Sequence, residues 1–177
     1  MNEVTILDKK FRELISEQTI KKRIDEIALQ INRDFTDSEI IFVGILNGAF
    51  MFAADLFRKI DLNARITFVK LASYQGISSS GSIKELIGWN EDLVNKKIIV
   101  VEDIVDTGAT LERIVNELVI RNVAEIKIAT MLLKPSSYTR DIPINYIGFE
   151  IPNKFVVGYG LDYNGFGRNL PSVYTLI

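Results

Sequence analysis

The sequence predicts an α/β fold: a mostly parallel central sheet with helices on both faces and a small C-terminal cap. Three observations predict it. Apolar, β-branched runs alternate along the chain with stretches of helical spacing, the order expected of strands joined through crossover helices. Two of those runs, Glu39 to Leu46 (EIIFVGIL) and Lys96 to Val101, read as buried strands, which a parallel sheet covered on both faces requires. Polar or glycine-bearing segments then follow the strands, at Asn47-Gly48, at residues 73–83, at Glu102 to Thr110 and at Lys134-Pro135. In open parallel sheets the strand C-termini are where ligands bind.

Each element has its own justification. Ser16 is placed to cap a helix whose apolar positions Ile20, Ile24, Ile27, Ala28 and Ile31 keep helical spacing. The strand at Glu39 to Leu46 ends at Asn47-Gly48, and a largely apolar helix from about Ala49 to Ile60 follows. Ala64 to Leu71 alternates as a strand should. Residues 73–83, opening on Ser73 and Tyr74, are polar and aperiodic and read as a long mobile loop. After the Lys96 to Val101 strand, a helix places Leu111, Ile114, Val115, Leu118 and Val119 on one face. Ala124 to Leu133 and Tyr146 to Phe149 are further strands. From Ile151 the chain is rich in Tyr, Phe and Gly without helical period, and reads as a cap over about 150–177. No repeat or linker divides the 177 residues, which suit one domain.

Composition narrows the chemistry. The chain has no His and no Cys, which removes Ser-His-Asp and Cys-His catalysis, thiolate zinc sites and imidazole acid–base work. A general acid or base must be Asp, Glu, Lys or Tyr. A metal would be a hard cation on oxygen ligands, with Mg²⁺ the leading candidate. Net charge is −2 and the pI about 5.3, so there is no basic footprint for nucleic acid. The N-terminal residues lack the pattern of a signal peptide, and no stretch approaches the length of a membrane span. A cytoplasmic location is the default reading.

The most informative run is Val101-Glu102-Asp103-Ile104-Val105-Asp106-Thr107-Gly108-Ala109-Thr110. A strand, three acids and a Thr-Gly-Ala-Thr turn opening a helix put a row of backbone N–H groups at a helix N-terminus, a ready anion site. Carboxylates beside that site repel a bare phosphate. They suit a phosphorylated sugar with hydroxyls and bound Mg²⁺, and so point to a phosphoribosyl group.

This run resembles the phosphoribosyl pyrophosphate signature of the type I phosphoribosyltransferases, specifically the hypoxanthine or hypoxanthine-guanine branch. Gly44 to Phe50 is similar to that family's pyrophosphate loop, Ser73-Tyr74 to the start of its flexible catalytic loop, and Leu132-Leu133-Lys134 to its purine-contacting lysine. The block Ile147 to Tyr163 resembles the 6-oxopurine branch in particular. The resemblance implies the type I phosphoribosyltransferase fold and transfer of a phosphoribosyl group to a purine, with Mg²⁺ as cofactor. It implies Asp106 as the catalytic acid or base facing the purine, and Thr107, Gly108, Ala109 and Thr110 as the 5′-phosphate cradle. Glu102 and Asp103 would hold the ribose hydroxyls directly or through metal, with Asp162 near a second metal and the purine. Lys134, Phe155, Val156 (through its backbone) and Asp162 would bind the purine, and Asn47, Gly48 and Arg168 the pyrophosphate. Family members commonly assemble as homodimers or homotetramers.

One position departs from the pattern. The family usually has Lys or Arg where this chain has Asn47, so a side-chain cation is missing from the pyrophosphate turn. Competing readings are a xanthine- or guanine-preferring relative, a regulatory RNA-binding homologue and a nucleotide-binding module without catalysis. The acidic pI and the complete Asp106 loop count against the second, and Lys134 with the Phe155 block against the third.

Overall fold

A computed structural model of the chain describes residues 2–72, 84–89 and 91–177; the expected loop at 73–83, with Ser73 and Tyr74, lies outside the described residues. In chain order the elements are β1 (Glu3–Ile6), β2 (Lys9–Ile15), α1 (Glu17–Asp34), β3 (Ile40–Leu46), α2 (Phe50–Phe57), β4 (Ala64–Ala72) and β5 (Lys84–Ile87). There follow β6 (Lys97–Val105), α3 (Ala109–Ile120), β7 (Glu125–Leu133), β8 (Tyr146–Glu150), β9 (Val156–Val157) and β10 (Val173–Leu176).

Six strands form the larger sheet in the order β5-β4-β3-β6-β7-β8. The five from β4 to β8 in that order run parallel, and β5 adds an antiparallel edge. Side chains alternate between faces along each strand, so β3 feeds two cores. Ile40 and Phe42 pack with Ile24 and Ile27 of α1 and Phe52 and Leu56 of α2. Ile41, Val43 and Ile45 pack with Leu111, Ile114 and Leu118 of α3. Helices therefore cover both faces, as expected. Burial of each such side chain contributes about 1.5–3 kcal/mol.

Local signals held at several boundaries and moved at others. The Ser16 hydroxyl caps α1 by accepting from the Thr19 N–H at 3.3 Å. α2 stops at Phe57, short of the expected Ile60, where three successive turn hydrogen bonds (Arg58 to Ala54, Lys59 to Leu56, Ile60 to Phe57) tighten its end. β6 runs on to Val105 instead of ending at Val101. Its backbone keeps register with β7 through Glu102↔Thr130 and Val105↔Leu133, and ladder bonds do not depend on side-chain polarity. Glu102 and Asp103 thus stand on the strand itself, and Asp106 lies in the turn just beyond it. Val119, expected on the buried face of α3, is 60% exposed. It lies about 100° round the helix from Leu118, off the stripe made by Leu111, Ile114 and Leu118.

The second sheet was not foreseen. The N-terminal hairpin β1–β2 joins the C-terminal strands in the antiparallel order β1-β2-β10-β9. Ile6, Phe11, Val157 and Tyr174 form its small core. The tail therefore packs against the start of the chain, and the segment between β9 and β10 is brought to the C-terminal edge of the large sheet, where it meets Gly48. No helix among the described residues is long and apolar enough to cross a membrane.

Candidate active site

Parallel strands deliver their C-termini to one side, and β3, β6 and β7 end together there. Asn47 and Gly48 follow β3, Glu102 and Asp103 lie near the end of β6, and Lys134 follows β7. A cavity of about 330 Å³ opens between Asn47, Gly48, Leu71, Asp103, Asp162 and Arg168. A smaller one of about 90 Å³ is lined by the turn from Asp106 to Thr110. Glu102 and Thr110 line both, so the two cavities adjoin.

Gly48 is where close approach demands glycine: the Asp103 carboxylate occupies the space that a Cβ would need. The peptide before Asn47 is cis. From the opposite side Gly160 presses on the Gly48 carbonyl. Arg168 holds that contact, its Nη1 donating to the Gly160 carbonyl at 2.7 Å and its own carbonyl accepting from the Gly160 N–H at 2.9 Å. The Tyr159 hydroxyl donates to Asp55 on α2 at 2.7 Å, tying the same loop to the helix that follows Asn47-Gly48. Gly160, within the Ile147 to Tyr163 block, and Leu71, at the end of an expected strand, carry no site role in the sequence analysis; both stand at this site in the structure.

The acidic pair is electrostatically exposed to its own burial. Glu102 is 7% accessible, and among the described residues its Oε2 has no hydrogen-bond partner. Burial pushes its carboxyl well above the usual range, and the Asp103 charge adds to the shift. Burial also pushes Asp103 up to about 6, opposed by the Ile104 N–H that it accepts at 2.8 Å and by the Arg168 cation. Two desolvated carboxylates side by side call for a cation or hydroxyl donors. Mg²⁺ fits them, because it takes one or two carboxylates and completes its shell with water and phosphate oxygens. Asp162, expected near a second metal and the purine, lines the same cavity as Glu102 and Asp103. Its carboxylate accepts from Arg168 Nη2 at 2.6 Å and from the Gly165 N–H at 2.6 Å. Among the described residues no group of three or more acids is arranged to hold a single metal ion.

At the other end of the site, Lys134 Nζ donates to Asp106 Oδ2 at 2.7 Å. The lysine is buried, whereas 45% of the Asp106 side chain is accessible. Thr107, Ala109 and Thr110 are exposed around Gly108, which takes a left-handed conformation (φ 84°) as the residue before α3. Backbone N–H groups at the start of α3 and the positive end of its dipole suit this turn to an anion.

Lys134, Phe155 and Val156 do not line either cavity. Phe155 is 47% exposed and packs against Phe11 and Tyr163 at ring-centre distances of 6.3 and 6.0 Å. Val156 is buried in β9, the outer strand of the small sheet, whose far side has no strand partner among the described residues.

Known proteins share this arrangement. The family model for the phosphoribosyl transferase domain matches residues 12–164. The hypoxanthine-guanine phosphoribosyltransferase of Aquifex aeolicus is 40% identical over 173 residues, covering 97% of each chain. The hypoxanthine phosphoribosyltransferase of Salmonella typhimurium is 41% identical over 167 residues, 93% of this chain and 94% of that one. A crystal structure of a Staphylococcus aureus hypoxanthine phosphoribosyltransferase superposes with a TM-score of 0.88 at 38% identity, covering 94% of this chain and 91% of that one. With the acidic strand end, the anion cradle and the buried lysine on one sheet edge, the chain belongs to the phosphoribosyl transferase family, in its hypoxanthine and hypoxanthine-guanine branch.

Proposed function

We propose that this enzyme transfers the 5-phosphoribosyl group from phosphoribosyl pyrophosphate to N9 of a 6-oxopurine, hypoxanthine and also guanine, releasing pyrophosphate. The observation that carries the reading is the 2.7 Å Asp106–Lys134 pair beside the anion cradle. Such a pair, next to the turn read as the 5′-phosphate site, suits a proton acceptor and a partner for a 6-oxo group. The ribose C1–O bond to pyrophosphate breaks as the N9–C1 bond forms, and the purine gives up one proton. Asp106 receives or shares that proton at N7. Thr107 to Thr110 hold the 5′-phosphate, chiefly by backbone N–H groups, so the ribose is fixed before reaction. Gly48, the Asn47 turn and Arg168 face the leaving pyrophosphate. Phe155 stacks on the base, and the free edge at Val156 meets its 2-position. Asp162 stands between the purine and pyrophosphate ends.

Glu102 and Asp103 would hold Mg²⁺ or the ribose hydroxyls. Mg²⁺, when bound, neutralises charge on the leaving pyrophosphate. Activity is expected to vanish in excess chelator and to return with Mg²⁺. Glu102→Gln with Asp103→Asn is expected to raise KM for the sugar substrate and lower turnover. Full activity in chelator would overturn the metal assignment. The reading carries a cytoplasmic location and assembly as a homodimer or homotetramer.

The test of the whole reading is pyrophosphate release from phosphoribosyl pyrophosphate with hypoxanthine, guanine, xanthine and adenine in turn. Turnover with hypoxanthine supports it; silence with all four bases removes it.

Asn47 is exposed on the pyrophosphate turn. Asn47→Lys is expected to tighten pyrophosphate binding, since a charge-assisted hydrogen bond adds about 1.5–3 kcal/mol, and to slow product release. The check is the inhibition constant of pyrophosphate. An unchanged constant means that position 47 contributes backbone only.

A further inference from the structure

We propose that Tyr138 is a positioning residue that holds the 5′-phosphate cradle in shape and ties it to the purine-side lysine; this rests on the reading of Thr107 to Thr110 as that cradle.

Gly108 begins α3 in a left-handed conformation, and no side-chain cap hydrogen bond stabilises the helix start. Something else must hold the turn, because glycine at φ 84° has many alternatives. The space where a Cβ would stand is filled by the Tyr138 ring, with Cε2 2.6 Å from that point, and by the stem of Arg140, with Cγ 2.8 Å from it. Tyr138 is itself anchored at three places. Its N–H donates to the Lys134 carbonyl at 3.1 Å, its hydroxyl donates to the Ile142 carbonyl at 2.6 Å, and its ring packs on the α3-side core. The Lys134 N–H in turn donates to the Val105 carbonyl at 2.9 Å, one residue before Asp106.

These contacts close a circuit. It runs from the end of β6 to Lys134, through Tyr138 to Gly108, and back along the cradle to Asp106. The ring is the one rigid part of that circuit lying outside the two strand ends. It touches neither the cavity of the cradle nor the larger one, so its effect on substrate passes through the position of Gly108.

Two variants separate the ring from its hydroxyl. Tyr138→Leu removes the flat ring, and Tyr138→Phe keeps it while losing the bond to Ile142. Steady-state kinetics and thermal melting are measured on both, with Thr110→Val as the reference for damage inside the cradle. Misplacement of a binding loop by a fraction of an ångström to an ångström is expected to raise KM for phosphoribosyl pyrophosphate about tenfold to a hundredfold in Tyr138→Leu. In that variant KM for hypoxanthine, taken at saturating sugar substrate, is expected to hold, and Tyr138→Phe is expected to restore most of the lost affinity. If Thr110→Val raises KM and Tyr138→Leu does not, the positioning role is overturned and the cradle stands. If both substrates and kcat suffer together in step with melting, the ring is merely structural and the proposal is overturned. If neither Thr110→Val nor Tyr138→Leu changes KM, the reading of the cradle falls and this proposal falls with it.

Discussion

Asp106→Asn is expected to lower kcat by about 10²–10⁴, the usual size of a general acid–base contribution. The substitution keeps shape and removes only the ability to take a proton at this position. The structure sharpens the reason. Asp106 Oδ2 already accepts from Lys134 at 2.7 Å, so in the proposed reading the carboxylate's second oxygen is the one that would meet the purine. The Asn amide oxygen could still accept from Lys134, which limits damage to the fold. Binding of phosphoribosyl pyrophosphate is expected to weaken far less, because the turn from Thr107 to Thr110 offers mainly backbone N–H groups. The measurement is kcat with hypoxanthine alongside KM for the sugar substrate. Near-normal turnover in the variant would remove Asp106 from the reaction.

Lys134→Gln is expected to erase most of the preference for 6-oxopurines. The ammonium has three donors and no acceptor, so in the proposed reading it would satisfy a 6-oxo group and would meet a 6-amino group donor to donor. The lysine is 8% exposed, so water cannot repair the mismatch. Sites built around such a buried polar contact reject the wrong partner by about 10⁴–10⁵. Wild-type kcat/KM is expected to favour hypoxanthine over adenine strongly, and the Gln variant to lose that ratio through loss of hypoxanthine turnover. The substitution also strips Asp106 of its cationic partner, so circular dichroism and melting must accompany the kinetics. Comparable use of adenine by the wild-type chain would leave only a generic phosphoribosyltransferase.

Much of the site was legible because its signals are short in sequence. The run from Glu102 to Thr110 holds the acids, the glycine and the helix start within nine residues, and the structure sets them around two adjoining cavities. The Gly44 to Phe50 turn was equally compact. Its Asn47 and Gly48 line the same cavity as Asp162 and Arg168, which the resemblance had also pointed to. Other parts had no local signature. Phe155 stands in an aromatic group with Phe11 and Tyr163, and nothing near Phe155 in sequence announces Phe11. The Asp162–Arg168 ion pair was illegible for a similar reason: it depends on how the tail folds back.

By itself the sequence determined the parallel sheet, its helical covering and the chemistry available at the ends of its strands. Periodicity of apolar residues is local information, and the burial of Ile40 to Ile45 or Ile98 to Val101 follows from it directly. Tertiary structure alone decided what the functional groups touch. Asp106 and Lys134 are 28 residues apart and meet because β6 and β7 are parallel and in register up to Val105↔Leu133. Asp103 meets Gly48 because β3 and β6 are neighbours, and Gly160 reaches Gly48 because the tail is paired to the N-terminal hairpin. Register and chain closure are set by the summed packing of distant segments, which no short stretch of sequence encodes.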